Sequence, residues 1–417
     1  MLLGNHLLEV AEMSFNRRCI FLHALILISI FDASALTVGG VSIRAAWMLA
    51  PFAIIFLGSK QITSTEIAFL FFFSFAHLAS SLYNSYYAGF LYILWIFFNF
   101  FIFYRVAGSK KFCLQVDVPK IFVVSGRLQI IIGAILIFIF QGERLSFTYY
   151  EPSYMAVGLI PFMVFSLLNN KIQVIDMLCI SLFVALGQSA LFVILLLIVL
   201  SVRLFQNTGA YKILLTASFL LAAIAIFVID SYVNESRANH VLIKTIIDDG
   251  VDFFVFLDRG GNRFPRMEAA YDVFSKNILL GVGPGNYSNY ISSVDFSYIT
   301  RGIPWLEVHN QPPVNIFLEA GVNAGILPAF IMLVVFSRFA FLSYFLCNDR
   351  RYFMIIILVF VAGFLETSYL RAYCWLFFGV VAGHAANFKK TFRLPPIALI
   401  RSDGMVGARK RIGQDIA

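Results

Sequence analysis

The stretch PVNIFLEAGVNAGILPAFIMLVVFSRFAFLSYFL, residues 313–346, decides how the chain is read. It is apolar enough for the hydrocarbon interior of a bilayer but too long for one straight crossing, because about 20 helical residues span a core of roughly 30 Å. Gly321 and Gly325 interrupt it, and Asn315 and Glu319 stand one helical turn apart near its start. A carboxylate is expensive deep in lipid, and irregular backbone is tolerated there only inside protein or beside water. A broken or re-entrant helix lining a wet cavity accounts for the length, the glycines and the acid together.

The rest of the chain agrees with a membrane setting. Of 417 residues, 60% are hydrophobic, only 13% are charged and 47 are Phe, and the mean hydropathy is +0.85. One soluble core does not hide that much apolar surface. About 12 apolar segments are long enough to cross: 19–37, 41–58, 66–83, 86–105, 119–140, 152–169, 172–188, 189–206, 212–230, 313–346 (broken), 352–370 and 372–388. The expected fold is therefore all-α, a polytopic membrane protein with one large outer loop. Its parts are residues 1–230 with about nine membrane helices, the loop 231–312, residues 313–388 with about three more helices, and a basic tail 389–417. Ala33-Ser34-Ala35 after a short apolar run resembles a leader cleavage site, but the many spans that follow argue for an uncleaved first helix.

Lys and Arg set the orientation. Arg17, Arg18, Lys60, Arg105, Lys110, Lys111, Lys171, Arg203, Lys212, Arg350, Arg351 and the tail gather at alternate ends of the segments, which places both termini in the cytoplasm. The net charge of +8 is then a topology signal and a match to anionic membrane lipid, and no nucleic-acid partner is expected. The five cysteines show no CxxC spacing, which suggests neither a disulfide framework nor a zinc site.

Polar chemistry collects on the outer side. In the loop 231–312, GNRFPRMEAAYDVFSKN reads as a helix with Pro265 at its first position. Met267, Ala270, Tyr271, Phe274 and Ile278 form a stripe suited to the membrane surface. Arg263 precedes this helix and Arg266 lies in its first turn, where two guanidiniums suit either an anion site or an anchor on lipid phosphate. GVGPGNYSNY, from Gly281, lacks the spacing of a phosphate-binding loop and reads as a tight turn. In WLEVHNQPPVN, His309 and Asn310 precede Pro312 and Pro313, which open the broken helix, so His309 is either a functional imidazole or an interfacial cap. A second cluster, QGERLSFTYYEPSY, holds Arg144, Tyr149, Tyr150, Glu151 and Tyr154. Pro152 suits the first turn of the sixth span and Glu151 its positive end. Tyrosine faces beside carboxylates also suit sugars.

Taken together these stretches resemble the O-antigen ligase and polymerase superfamily, most of all the Wzy-type polymerases that join lipid-linked polysaccharide repeat units. GNRFPRMEAAYDVFSKNILLGVGPGNY resembles the family's Arg, amphipathic helix and GvGpG; VHNQPPVNIFLEAGVNAG resembles its His-Asn and Glu-x-Gly-x-x-Gly element; YYEPSY resembles the polymerases' Glu-Pro-Ser turn. LGQSALFVILLLIVL departs from a helix start that is usually Ser-Arg-Ser-Ala, with Gln188 in place of Arg. The resemblance implies a GT-C-like membrane glycosyltransferase of the bacterial inner membrane, acting at the periplasmic face without cofactor or metal. Its donor is then an oligosaccharide on undecaprenyl diphosphate, and a chain-length regulator is a possible protein partner beside the membrane lipids. It also implies roles: His309, Glu151 and Glu319 catalytic, with the base either His309 or Glu151; Arg263, Arg266 and Arg144 on the diphosphate; Tyr150, Tyr154 and Asn310 on the substrate. Three activities stay open: a repeat-unit polymerase, a ligase that passes glycan to lipid A-core or protein, and a transporter or flippase of lipid-linked sugars, for which paired broken helices and an internal repeat are missing from the sequence.

Overall fold

The computed structural model describes residues 26, 35–38, 41–44, 61–109, 117–140, 145–146, 151–169, 172–206, scattered positions between 218 and 233, 240–248, 263–296, 299, 308, 311–347, 349–366 and 370–391, the side chains of 387–391 excepted. The expected spans 19–37, 41–58 and 212–230 lie largely outside these residues, as do the tail beyond 391 and the site candidates Arg144, Tyr149, Tyr150, His309 and Asn310.

The described chain is helical apart from one antiparallel hairpin, β1 Ala35–Val38 and β2 Val41–Arg44, paired Ala35 to Arg44 and Val38 to Val41. This corrects the first two expected helices at their facing ends. The register leaves Gly39 and Gly40 as a two-residue connection between β-branched runs, a strong hairpin signal that the hydropathy masks.

Among the described residues, four helices are long and apolar enough to cross a membrane: α1 Ser64–Tyr83, α2 Tyr87–Ala107, α3 Val118–Phe140 (apolar over Val118–Ile139), and the helix Ile326–Leu346. Between α3 and that last helix run α4 Pro152–Gly158, α5 Ile160–Leu167, α6 Val174–Gly187, α7 Ala190–Gln206 and α8 His240–Asp248. Then follow α9 Arg263–Lys276, α10 Tyr287–Ser292 and α11 Ile316–Ala324, before Ile326–Leu346 itself as α12. The chain continues with α13 Arg351–Gly363 and α14 Ala372–Thr391. The molecule is a membrane protein with several spanning helices, and the expected broken helix is present as α11 and α12.

Burial sorts the helices. In α14, Tyr373, Trp375, Phe377, Phe378 and Val381 are at most 5% exposed, and Met155 to Leu167 along α4 and α5 is nearly as covered. Helices apolar all round belong in the middle of a bundle. By contrast α1 and α12 expose Phe71, Phe72, Phe75, Phe330, Phe341 and Phe345. In a membrane protein these are lipid-facing surfaces.

The central helices are also short, and this shapes the molecule. Gly379 of α14 packs on the Tyr104 carbonyl near the far end of α2, which sets the start of α14 about 15 Å below the start of α2 at 1.5 Å per residue. A second contact gives a similar depth: Asn99, in a π-helical segment Asn99–Tyr104 of α2, donates through Nδ2 to the Leu370 carbonyl at 2.9 Å. The described ends of the connection from α13 to α14, Glu366 and Leu370, therefore lie below the start of α2, a step in the bundle (the recess) that α9 reaches through Arg263 and Glu366. The sequence reading of 352–370 as a full span is corrected here: α13 stops at Gly363, about 20 Å long.

A glycine clasp joins α9's end to the break between α11 and α12. Residues 281–285 put Gly281, Gly283 and Gly285 at positive φ, and α11 breaks from α12 at Gly325, φ +86°. The two irregular segments bond to each other: Val282 N–H donates to the Val322 carbonyl at 2.7 Å, Ile326 N–H to the Ile278 carbonyl at 2.7 Å, and Gly285 N–H to Asn323 Oδ1 at 3.2 Å. Ser80 and Asn84 at the end of α1 donate to the Asn323 and Gly281 carbonyls at 2.8 and 3.3 Å. The tight turn expected at GVGPG is found, with these amides spent on protein.

A Cβ on Gly281 meets the Val322 carbonyl, and one on Gly325 meets the Leu279 carbonyl. Positive φ alone costs a non-glycine residue about 1–3 kcal/mol. Gly281→Ala and Gly325→Ala are therefore expected to lower the thermal unfolding midpoint in detergent well beyond Leu279→Ala, whose side chain is 79% exposed; equal midpoints for all three would remove the clasp.

Candidate functional site

α9 brings its arginines to the recess because one face of it is anchored. Pro265, Ala269, Ala270 and Val273 are buried against α11, and Phe274 lies over Gly321. With Val282, Tyr287, Ile291, Phe296, Val308 and Val322 they form a second, smaller core. This corrects the expected membrane-surface stripe: Ala270 and Phe274 turn inward, while Tyr271 and Ile278 remain exposed at 63% and 47%. Arg263 is the first helical residue rather than the one before the helix.

Arg263 reaches down to the floor. Its Nη1 lies 2.7 Å from Glu366 Oε1 and also donates to the Leu365 carbonyl. Arg266 turns toward the broken helix and donates through Nε and Nη2 to the Pro312 carbonyl at 3.0 and 2.6 Å. Burial opposes the charge on Arg263, yet Glu366, and after it Glu151 and Tyr154, more than offset this and raise its pKa. At Arg266 burial prevails and lowers the pKa, although Glu366, Tyr154 and Glu151 act the other way, and the charge of Arg263 adds to the lowering. Arg266 is thus a guanidinium bonded to a carbonyl and to no carboxylate among the described residues.

Glu151 and Tyr154 arrive from α4. Glu151 occupies the N-cap position with Pro152 behind it, as expected, but its carboxylate caps no backbone N–H. Instead Oε2 accepts from the Ser153 hydroxyl at 3.2 Å, and its charge acts on Arg263 and Arg266. Tyr154 is 4% exposed and carries the Arg371 guanidinium 4.2 Å from its ring centroid, a cation–π contact worth about 1–2 kcal/mol when partly desolvated.

The broken helix supplies the last wall. Asn315, not the prolines, opens α11: its Oδ1 accepts from Phe317 N–H at 2.8 Å and Leu318 N–H at 3.1 Å. Glu319 follows in the first turn. Gln311 N–H donates to the Val308 carbonyl at 3.3 Å, next in sequence to the Pro312 whose carbonyl Arg266 holds. Gln188 ends α6 in the left-handed region, φ +47°, and α7 beyond it packs on α4.

Of the expected site residues, then, Arg263, Arg266, Glu151 and Tyr154 come together, and Glu319 stands on the adjoining helix. Glu366 and Arg371 were missed. The available signal was Glu366 itself, a carboxylate in what was read as a span, where such a group is costly without a partner. Arg263 and Arg266 share the charges of Glu366 and Glu151, and Arg371 lies over the Tyr154 ring of the same group.

Residues 174–334 match a family model described as O-Antigen ligase, a family of membrane enzymes that transfer glycans. The match includes Arg263, Arg266 and Glu319 and leaves Glu151, Tyr154, Glu366 and Arg371 outside it. No curated protein matches the chain.

Breaking a buried ion pair from one side costs about 3–5 kcal/mol, and less here because Arg263 keeps 30% exposure. In a double-mutant cycle of Arg263→Gln and Glu366→Gln, chemical denaturation is expected to give a coupling of about 1–3 kcal/mol. Additive losses would mean that the two side chains do not meet.

Proposed function

We propose that this chain polymerises oligosaccharide repeat units carried on undecaprenyl diphosphate, at the periplasmic face of a bacterial inner membrane. The reading is carried by the convergence of Arg263, Arg266 and Arg371 with Glu151 and Tyr154 in a recess below the start of α2. A lipid-linked diphosphate has its charge at the bilayer surface and its prenyl chain in the hydrocarbon. A cationic recess between spanning helices suits both.

The transfer breaks the bond between the donor's anomeric carbon and its phosphate oxygen, and the electron pair stays on the diphosphate. Arginines remain charged at any working pH and can grip phosphate oxygens two at a time, so they stabilise that leaving group where other transferases use a metal. Arg266 is best placed for this, being bonded to a carbonyl and to no carboxylate among the described residues, while Arg263 is tied to Glu366. Arg371, over the Tyr154 ring, supplies a further cation, and Gln188 stands in place of the arginine usual in the family. The acceptor hydroxyl forms the new bond to the anomeric carbon and gives up its proton. His309 takes it, as an imidazole with an ordinary pKa near 6.5 can, with Glu319 orienting the ring. Glu151 holds the acceptor sugar and is the alternative base, with Tyr154 buried beneath Arg371 beside it.

The second reading is a ligase, favoured by the family model that matches residues 174–334. The Glu-Pro-Ser turn at 151–153, outside that match, favours the polymerase.

Arg266→Ala is expected to lower turnover by about 100- to 1,000-fold, the worth of one preorganised charge contact in the transition state, with Arg266→Lys recovering only part. With Arg266→Ala, Glu151→Ala or His309→Ala at matched expression, gels of surface polysaccharide should show single-repeat glycan without long chains. Accumulation of lipid-linked polymer would instead identify the ligase, and normal long chains in all three variants would reject the site.

A further inference from the structure

A second polar cavity lies at the opposite end of the bundle. α4 and α5 run from Glu151 in the recess to Asn169, and α13 runs back from Arg351 to Glu366, so the two sites are about 20 Å apart. The cavity has a volume of about 380 Å³ and opens between the first half of α3, the end of α5 and the starts of α6 and α13. Its cations are Lys120, Arg127 and Arg351, and its carboxylates are Asp117 and Asp176.

Both carboxylates are already engaged. Asp117 accepts from Lys120 N–H at 3.1 Å and caps α3, and Asp176 accepts from Arg127 Nε at 2.7 Å. Arg127 is steadied further by Gln173 Oε1 at 2.6 Å, and Arg351 by Asp349 and by the Phe165 ring 5.2 Å away. The Lys120 amine stays exposed at the cavity rim. Ser166, in the cavity wall, is 2% exposed, and its hydroxyl has no hydrogen-bond partner among the described residues. A buried hydroxyl left unpaired costs about 1–3 kcal/mol, so an acceptor arriving there is favoured.

We propose that this cavity binds the phosphate of an anionic phospholipid headgroup. A phosphate diester offers acceptor oxygens to Ser166, Lys120 and the outer edge of Arg127 at once. The lipid source follows from the walls. Val123, Val124 and Phe165 line the cavity, and the two helices that frame it present Leu128, Ile131 and Ile132 of α3 and Val174, Ile175 and Leu178 of α6 outward. Acyl chains can run along those faces while the headgroup enters between the helices, the geometry of basic headgroup pockets between membrane helices. Bound there, the lipid braces α3, α5, α6 and α13, the elements beneath the recess.

Native mass spectrometry of the purified full chain in detergent tests this, titrated with phosphatidylglycerol, with phosphatidylcholine of the same chains, and with inorganic phosphate or glycerol 1-phosphate as competitors. Phosphatidylglycerol should be retained preferentially. Lys120→Ala, an exposed position, should weaken that retention about fivefold, the worth of one lysine beside an anionic headgroup. Ser166→Ala should weaken it by a comparable factor without lowering the melting temperature of the lipid-free protein. Equal retention of the two lipids, or unchanged retention in both variants, would overturn the proposal. Displacement of phosphatidylglycerol by the soluble phosphates at similar concentration would overturn the lipid assignment.

Discussion

The paired backbone hydrogen bonds between Val282 and Val322 and between Ile326 and Ile278 hold the rest of the site in place. A helix that breaks at membrane depth frees carbonyls and amides that lipid cannot satisfy. Here the break at Gly325 is met by another irregular segment, Gly281 to Gly285, so each loop pays the other's hydrogen-bonding debt. Neither segment can relax independently. α9 leads directly into one of them and α11 into the other, and the small core around Ala270, Val273 and Val322 fixes the angle between them. The positions of Arg263 and Arg266 are thus inherited from a backbone clasp.

The charges in the recess are arranged unequally. Glu366, 4% exposed, is tied to Arg263, and such a pair gives little net stability because desolvation offsets attraction. What it provides is a fixed floor. Arg266 is held instead by the Pro312 carbonyl, at 3.0 and 2.6 Å, with no carboxylate bonded to it among the described residues. Glu151 keeps its carboxylate off its own helix end, where a simple cap would have put it. Proline at the first turn and tyrosines in the interface explain the local sequence; they do not explain where that carboxylate points.

The sequence made some of this legible. Hydropathy located α1, α2, α3 and the broken α11–α12 pair to within a few residues, because uninterrupted apolar length is a strong signal. It failed where the signal was composition without length. The hairpin at 35–44 was hidden by its apolar neighbours, and α13 was drawn seven residues too far because Glu366 was absorbed into a span. Arg263, Arg266 and Glu151 could be named from their neighbours and from a family resemblance. Their partners Glu366 and Arg371 come from a connection distant in sequence, and only folding brings that connection to them. The face of α9 was misassigned because its stripe matched a membrane surface as well as it matched α11.

The shortness of α6 has a consequence of its own. Its 14 residues make a rod of about 21 Å, and Val174, Ile175 and Leu178 on its surface face outward. The hydrocarbon of an ordinary bilayer is about 30 Å thick, so lipid beside α6 must thin to match it. Thinning draws phosphates of the two leaflets toward each other along that flank. The protein therefore deforms its own solvent along that flank.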